Sequence, residues 1–313
     1  MSTKPDLISL TPLLPEQARL LEAHFSVHSL PAQGAERHSM LAKLADTRFV
    51  QTGGGIGADA ALMDSLPHLE IIASMGVGTD AIDVAAARAR GIAVTNTPGV
   101  LDDDVADLAL ALMVMCARRL GASERFVRDG RWLQGAFPLA GKVSGKRLGV
   151  VGLGRIGKAI ALRADSMSMS ISYFGRHRQM GVSYDYFSSL VSMAAQVDFL
   201  VLACPGGAET FHLINESVIE ALGPKGILVN IARGSVVDQR ALVKALANGS
   251  LGGAGLDVFE DEPNVPQELL AMDQVVLMPH VGSATVETRK AMADLVVANL
   301  VAHLQGNDLL SRV

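Results

Sequence analysis

Short apolar runs alternate with amphipathic stretches along almost the whole chain. The apolar runs predict β-strands at residues 7–10, 49–51, 71–74 and 93–96, and again at 147–151, 170–174, 199–202, 227–230, 253–256 and 275–278. Helical spacing of apolar positions predicts helices at residues 15–24, 35–43, 84–90, 158–167 and 286–303. Continuously apolar strands that alternate with helices are typical of parallel sheets covered on both faces.

Two such sheets fit a chain of 313 residues, since a domain usually contains about 100–200 residues. We therefore predict an α/β protein with two doubly wound parallel-sheet (Rossmann-like) domains and a cleft between them. The first domain spans residues 1–98 and is completed by residues 287–313, because the long final helix is expected to pack back onto it. The second domain spans residues 99–286.

Composition and charge exclude some classes of binding partner. The formal net charge of -5 argues against nucleic acid and an anionic membrane surface as partners, because both attract basic proteins. Cys116 and Cys204 lie in apolar runs and form no Cys-x-x-Cys pair, so neither a disulfide framework nor a metal site is predicted. No apolar stretch approaches the roughly 18 residues that span a bilayer, and the N-terminus lacks the pattern of a signal peptide. We expect a cytoplasmic protein.

A glycine-rich segment follows one predicted strand and opens a predicted helix. It reads Gly152, Leu153, Gly154, Arg155, Ile156 and Gly157. In dinucleotide-binding proteins the first glycine permits a tight turn, the second lets the pyrophosphate approach the backbone, and the third lets helix and strand pack closely. The free N–H groups of the helix N-terminus then bind phosphate. The segment therefore predicts a dinucleotide site.

The end of the next strand indicates which dinucleotide is bound. An NAD-selective site usually has Asp or Glu there to hold the ribose 2′-hydroxyl. This chain has Gly175, Arg176, His177 and Arg178 instead. A carboxylate would repel a 2′-phosphate, whereas arginine binds one through charge-assisted hydrogen bonds. We predict NADPH as the cofactor, with NADH as the weaker alternative.

Three further segments follow predicted strands and carry candidate chemistry. They contain Arg233, then Asp257 and Glu262, then His280. Addition of hydride to a ketone builds negative charge on its oxygen, which a cation stabilises and a general acid protonates. A neighbouring carboxylate keeps a histidine protonated and oriented. Arg233, His280 and Glu262 fit these three roles, although each taken alone could equally be a surface ion pair, a structural histidine or a solvated acid.

The ordered set of segments resembles the D-isomer-specific 2-hydroxyacid dehydrogenases. The resemblance rests on residues 76–80, 90–99, the glycine loop, 230–234, 257–263 and 279–285. Around Arg176 and over residues 252–294 the chain is most similar to NADPH-dependent glyoxylate/hydroxypyruvate reductases and to plant hydroxyphenylpyruvate reductases. The family's NAD-selective members carry an acidic residue where this chain has Gly175 or Arg176.

The resemblance implies a flavodoxin-like substrate-binding domain and a Rossmann domain that binds the dinucleotide. It implies reduction of glyoxylate, hydroxypyruvate or a phenylpyruvate-type acid to a D-2-hydroxy acid. Arg233 would bind the substrate's carboxylate and carbonyl, and His280, paired with Glu262, would donate the proton. Backbone N–H groups of Val77 and Gly78 would bind the carboxylate. Further cofactor contacts would come from Cys204, Pro205, Thr210, Ile231, Ala232, Asp257 and Gly282, together with Arg233 and His280.

The resemblance also implies a homodimer formed through residues 105–132 of the cofactor domain. Trp132 would either reach the neighbouring subunit's substrate site or simply pack in the interface. Two alternatives to this function stay open. One is a 2-hydroxyacid dehydrogenase of different substrate, such as a phosphoglycerate-type enzyme, although 313 residues leave no room for an added regulatory domain. The other is a non-catalytic dinucleotide-sensing scaffold like the family's corepressors.

Overall fold

The computed structural model describes residues 4–313, which divide into two compact units. Unit 1 comprises residues 4–101 with Thr285–Val313, and unit 2 comprises Asp102–Ala284. The predicted domain ends at residues 98 and 287 lie close to these divisions. Every pair of neighbouring strands in the two sheets is parallel. The predicted class, two doubly wound parallel-sheet α/β domains, is confirmed.

Within its described residues, unit 1 has one five-stranded sheet of order β2-β1-β3-β4-β5. The strands are β1 (Asp6–Ser9), β2 (Ser26–Ser29), β3 (Phe49–Gly53), β4 (Ile71–Met75) and β5 (Ala93–Thr95). The helices, numbered in chain order, are α1 (Pro15–His24), α2 (Ala35–Lys43), α3 (Ala60–Asp64), α4 (Val84–Ala89) and α12 (Val286–Leu304). This strand order is the flavodoxin-like one.

Alternate residues of these strands pack on opposite faces of the sheet, as the period of two requires. Ile8 and Ile72 belong to one buried cluster, whereas Leu7 and Ile71 belong to another. The second cluster includes Leu300 of α12, which packs against β4 and α1. Burial of this helix face explains why the last 29 residues belong to unit 1 although unit 2 separates them from the rest of it.

Unit 2 has one seven-stranded sheet of order β12-β11-β10-β9-β6-β7-β8. The strands are β6 (Arg147–Val151), β7 (Ser170–Phe174), β8 (Asp185–Phe187), β9 (Phe199–Leu202), β10 (Ile227–Asn230), β11 (Gly253–Leu256) and β12 (Val275–Leu277). The helices are α5 (Asp102–Arg118), α6 (Leu120–Arg128), α7 (Arg155–Ser166), α8 (Leu190–Ala194), α9 (Glu216–Leu222), α10 (Gln239–Ala247) and α11 (Gln267–Leu270). The strand order reverses between β6 and β9, which is where ligands bind in such sheets.

Among the strands, the structure differs from the prediction at the sheet edges, and it contains further helices, such as α5 and α10, beyond the five that were predicted. Strands β2 and β8 were not predicted, because an edge strand needs no continuous apolar run and both carry partly exposed polar residues. Helix α7 begins at Arg155 rather than at residue 158, so the end of the glycine motif forms its first turn. No helix within residues 4–313 combines the length and the apolarity needed to cross a membrane.

Candidate active site

The glycine loop connects β6 to α7 at the carboxyl edge of the unit 2 sheet. Gly152 has a φ of 93°, which side chains disfavour. A Cβ atom on Gly152 would lie 2.7 Å from Cα of Cys204, and one on Gly157 would lie 2.1 Å from the carbonyl oxygen of Gly152. The packing of the loop on itself and on the chain after β9 therefore requires the first and third glycines.

Gly154 is not required by packing in this way. A Cβ atom there would meet nothing within 4 Å, and its φ of -75° suits any residue. Gly154 is the N-cap of α7, so no side chain caps the free N–H groups of the first turn, which includes Arg155, Ile156 and Gly157. An open backbone at a helix N-terminus is what a bound phosphate needs.

Ion pairs join α7 to α5 beside the glycine loop. Nε of Arg155 lies 3.1 Å from Oδ2 of Asp102. Arg163 of α7 pairs with Asp103 at 2.9 Å and with Asp107 at 2.6 Å. Three aspartates from the first two turns of α5 thus pair with arginines of α7. The expected contact of Arg155 with the cofactor stays a prediction.

The turn after β7 carries the residues expected at the adenosine phosphate. Arg176, His177 and Arg178, which follow Gly175, are all exposed. The turn has no carboxylate of its own, but Glu209 from the loop after β9 lies 4.0 Å from Nη1 of Arg176. Both side chains are 84% exposed, so this ion pair is worth little. Sequence reasoning missed Glu209, because it comes from a different loop.

A second residue that sequence reasoning missed is Gln179. Its Nε2 donates to the carbonyl of Leu153 at 2.7 Å, and its backbone N–H donates to the hydroxyl oxygen of Tyr173 at 2.8 Å. Leu153 and Tyr173 are both buried. Gln179 therefore ties the turn after β7 to the glycine loop. A glutamine in a polar turn gives no sequence signal for this contact.

The loop after β9 contains three expected cofactor contacts. The backbone of Cys204 packs against Gly152, and burial raises the pKa of its thiol to about 11. Cys204 is therefore a neutral thiol near pH 7, not a nucleophile. The hydroxyl of Thr210 donates to the carbonyl of Pro205 at 2.7 Å. The polar group of Thr210 thus closes the loop itself.

The turn after β10 presents Arg233. Asn230 is buried; its Oδ1 accepts from the N–H of Ala232 at 3.0 Å and its Nδ2 donates to the carbonyl of Arg233 at 2.9 Å. Ile231 and Ala232 are buried as well. A Cβ atom on Gly234 would lie 1.9 Å from the backbone carbon of Phe259. The arginine turn is therefore packed directly on the turn that carries Glu262.

Glu262 and His280 form a hydrogen-bonded pair. Nδ1 of His280 lies 2.7 Å from Oε2 of Glu262, and the backbone N–H of Phe259 donates to Oε1 at 3.1 Å. Burial raises the pKa of Glu262, but the hydrogen bonds from His280 and Phe259 and the charges of His280 and Arg233 outweigh it, so the pKa lies below its ordinary value. Glu262 is therefore ionised at neutral pH.

Asp257 organises the backbone around His280. The N–H of His280 donates to the carbonyl of Asp257 at 2.9 Å. The carboxylate of Asp257 accepts from the N–H groups of Val281 at 2.7 Å and Gly282 at 2.8 Å. His280 has a φ of 54°, an unfavourable conformation for a residue other than glycine. The three hydrogen bonds hold the histidine in this conformation.

Burial also raises the pKa of Asp257 above its ordinary value, against the opposing effect of the two N–H donors. Both carboxylate oxygens are occupied by Val281 and Gly282. A contact with the nicotinamide carboxamide would add to these bonds, since each oxygen has a second lone pair. That contact stays a prediction.

Val77 and Gly78 lie in unit 1, in the half-buried loop after β4. Trp132 lies in unit 2, in a short 3-10 turn, Arg131–Gln134, and its side chain is 68% exposed. Unit 2 thus brings together Glu262, His280 and Asp257, with the turn that presents Arg233 packed beside Glu262. The roles expected for these residues stay predictions.

The residues around β6, β7 and β9 fit a bound dinucleotide. No atom lies within 4 Å of the position that a Cβ atom on Gly154 would take, and no side chain caps the first turn of α7. Arg176 and Arg178 are exposed in the turn after the neighbouring strand β7. These features supply N–H donors for a pyrophosphate and place two cations on the neighbouring turn.

Comparison with known proteins gives the family. Residues 110–282 match the model of the NAD-binding domain of D-isomer specific 2-hydroxyacid dehydrogenases. The chain is 50% identical over 293 residues to hydroxyphenylpyruvate reductase of Plectranthus scutellarioides, covering 94% of each chain. It is 50% identical over 299 residues to glyoxylate/hydroxypyruvate reductase A of Arabidopsis thaliana, covering 96% of this chain and 90% of the relative.

A solved structure agrees with these relatives. The chain superposes with a TM-score of 0.94 and 44% identity on the NADPH-dependent glyoxylate/hydroxypyruvate reductase of Sinorhizobium meliloti in complex with NADP and malonate, covering 99% of this chain and 97% of that one. The resemblance inferred from the sequence motifs is confirmed. The chain belongs to the D-isomer specific 2-hydroxyacid dehydrogenases.

Proposed function

We propose that this protein is an NADPH-dependent reductase of small 2-oxo acids with His280 as the proton donor. The observation that carries the proposal is the Glu262–His280 hydrogen bond beside the turn that presents Arg233. The proposal assigns cofactor binding to unit 2 and substrate carboxylate binding to Val77 and Gly78 of unit 1.

The roles of the three side chains follow from their chemistry. When bound, the dinucleotide supplies a hydride to the carbonyl carbon of the 2-oxo acid. Arg233 stabilises the negative charge that develops on the carbonyl oxygen and orients the neighbouring carboxylate. Because Glu262 occupies Nδ1 of His280, the proton on Nε2 is the one available to that oxygen. The product is a D-2-hydroxy acid.

The choice of NADPH rests on the turn after β7. Arg176 and Arg178 are exposed cations, and Gly175 stands where a carboxylate would select NADH. Glu209 opposes Arg176 only weakly, because both side chains are in solvent. A related reductase with 44% identity binds NADP, which supports the same choice here.

We also propose a homodimer formed through the cofactor domain. The segment around Trp132 exposes apolar side chains that a monomer would leave in water. Leu133 is 95% exposed and Leu139 is fully exposed, and Val127 lies on the neighbouring helix α6. Contiguous exposed apolar groups mark protein interfaces. In this arrangement Trp132 either enters the other subunit's substrate site or packs between the subunits.

The test is a substrate panel with the purified protein. Glyoxylate, hydroxypyruvate and hydroxyphenylpyruvate are each mixed with NADPH or NADH, and loss of the reduced-nicotinamide absorbance is followed. We expect turnover of at least one 2-oxo acid, higher kcat/KM with NADPH than with NADH, and a product of D configuration on chiral chromatography. Cofactor binding without turnover of any 2-oxo acid would contradict the proposal and favour a dinucleotide-sensing scaffold.

A further inference from the structure

In the loop after β4 of unit 1, hydrogen bonds to the carbonyl oxygens fix two successive peptide groups, Gly76–Val77 and Val77–Gly78. The carbonyl of Gly76 accepts a hydrogen bond from the backbone N–H of Thr97 at 3.0 Å. The carbonyl of Val77 accepts one from Nδ2 of Asn96 at 2.8 Å. The N–H of Gly76 in turn donates to the hydroxyl of Thr97 at 3.0 Å. Thr97 is completely buried, which makes it a rigid support.

Fixing these carbonyls also fixes two N–H groups. A peptide unit is planar and trans, so its N–H points opposite to its carbonyl. The Gly76 carbonyl shares its peptide unit with the N–H of Val77, and the Val77 carbonyl shares its unit with the N–H of Gly78. Within the described residues, neither of these N–H groups donates a hydrogen bond. Asn96 and Thr97 therefore aim two neighbouring donors away from the chain that holds them.

Asn96 is itself held by the last residues of unit 1. The hydroxyl of Ser311 donates to the Asn96 carbonyl at 2.6 Å, and the Asn96 N–H donates to the Ser311 carbonyl at 3.3 Å. The neighbouring residues Thr95 and Arg312 form an antiparallel bridge. The Asn96–Ser311 backbone bond is one of the two that form this bridge, so the bridge and the Ser311 hydroxyl together fix the residue whose side chain fixes the Val77 peptide.

The next support is Asn299 of α12, which is completely buried. Its Nδ2 donates to the hydroxyl of Ser311 at 2.9 Å, and its Oδ1 accepts from the N–H groups of Leu310 at 3.0 Å and Ser311 at 3.3 Å. Nδ2 also donates to the carbonyl of Leu295 at 2.8 Å. A buried amide with all these partners satisfied is costly to disturb, so it defines one position for Ser311.

We propose that Asn96 is a positioning residue for substrate binding, held by Ser311 and Asn299, which orients the N–H groups of Val77 and Gly78 toward a substrate carboxylate. This inference rests on the proposed function for the identity of that carboxylate. Two N–H groups held in place before binding lose no rotational freedom when the anion arrives, which raises affinity without any further contact.

The first test substitutes the donor with an isosteric acceptor. Asn96→Asp keeps the size of the side chain and the backbone bonds to Ser311, but its carboxylate cannot donate to the Val77 carbonyl. We expect KM for glyoxylate to rise about tenfold or more, the range for loss of a hydrogen-bond contribution to a charged group. KM for NADPH should change less than about twofold, because the cofactor contacts lie in unit 2.

A second pair of variants tests the relay without altering Asn96. Ser311→Ala removes the hydroxyl between Asn96 and Asn299, whereas Ser311→Thr retains one. We expect Ser311→Ala to raise KM for glyoxylate and Ser311→Thr to restore it, with KM for NADPH steady in both. If instead kcat falls, KM rises for both glyoxylate and NADPH, and Tm falls in parallel, the role is purely structural and the inference is overturned.

A binding experiment separates this inference from the proposed function. Malonate, a small dicarboxylate, is titrated into the ¹⁵N-labelled protein without cofactor, and the amide resonances of Val77 and Gly78 are followed. We expect both to shift in the wild type and to shift little in Asn96→Asp. Wild-type protein without reductase activity overturns the proposed function only. Equal shifts in both proteins, or no shift in the wild type, overturn the inference whatever the activity.

Discussion

Nδ1 of His280 lies 2.7 Å from Oε2 of Glu262, although 18 positions separate the two residues in sequence. The contact forms because the turns after β11 and β12 meet at the carboxyl edge of one sheet. It distinguishes the two ring nitrogens: Nδ1 is engaged by the carboxylate, and in the proposed function Nε2 carries the proton that is transferred. Asp257 holds the backbone on either side of the histidine in place.

Replacement of the proposed proton donor is expected to stop turnover without releasing the cofactor. His280→Ala should lower kcat by about 10²–10⁴, the usual contribution of a general acid. The Kd for NADPH, measured by fluorescence, should stay within about threefold, because the glycine loop and the β7 turn are unaffected. His68→Gln, an exposed histidine of unit 1, is the control. Loss of NADPH binding in His280→Ala would instead indicate a structural histidine.

The pH dependence of activity tests the state of Glu262. Its pKa lies below the ordinary value of 4.5, so the carboxylate that orients His280 is lost only when the pH falls below that value. We expect no loss of kcat/KM on the acid side that can be attributed to Glu262 above pH 4.5. The control is Glu262→Gln, which has no titrating group there. An acid limb with its midpoint above 4.5 that disappears in Glu262→Gln would contradict the assigned direction of the shift.

The two glycines that open α7 should respond differently to the same substitution. Gly157→Ala places a Cβ atom 2.1 Å from the Gly152 carbonyl oxygen, so it should destabilise the fold by about 1–3 kcal/mol or more. Gly154→Ala meets open space and should leave the Tm unchanged while weakening NADPH binding. Urea unfolding and cofactor titration measure the two effects. Undiminished NADPH affinity in Gly154→Ala would show that the phosphates do not approach that backbone.

Cofactor selection is expected to depend on Arg176. Arg176→Ala should lower kcat/KM for NADPH by about ten- to a hundredfold, the range for a lost charge-assisted hydrogen bond, while kcat/KM for NADH changes little. Arg19→Ala, an exposed arginine of α1 that pairs with Glu16, is the matched control. An equal loss with both cofactors would remove the assignment of Arg176 to a 2′-phosphate.

The exposed apolar segment after α6 gives a prediction for assembly. Leu133→Ser should weaken the proposed dimer, because it removes a side chain that is 95% exposed in the single chain. Sedimentation velocity at several concentrations measures the change. Val286→Ser, at an apolar position of unit 1 that is 84% exposed, should leave the mass unchanged. A wild-type protein that sediments as a monomer at all concentrations would contradict the proposed dimer.

The sequence by itself determined the fold class and the candidate residues for the chemistry. Apolar runs predict buried parallel strands wherever both faces of the sheet are covered, which is why ten of the strands could be located and the edge strands β2 and β8 could not. Arg233, Glu262 and His280 could be selected because reactive side chains directly after such strands collect at one edge of a sheet. Residue type and strand position are local properties, and a sequence displays them directly.

Only the tertiary structure decided which side chains meet. Glu209 opposite Arg176, Gln179 on the glycine loop, and Ser311 on Asn96 each join segments that no spacing relates; Ser311 and Asn96 are 215 positions apart. Such contacts depend on how loops from different strands converge after packing. The supports that hold the candidate reactive groups in place are therefore set by the folded chain, whereas the candidate groups themselves are predicted from the sequence.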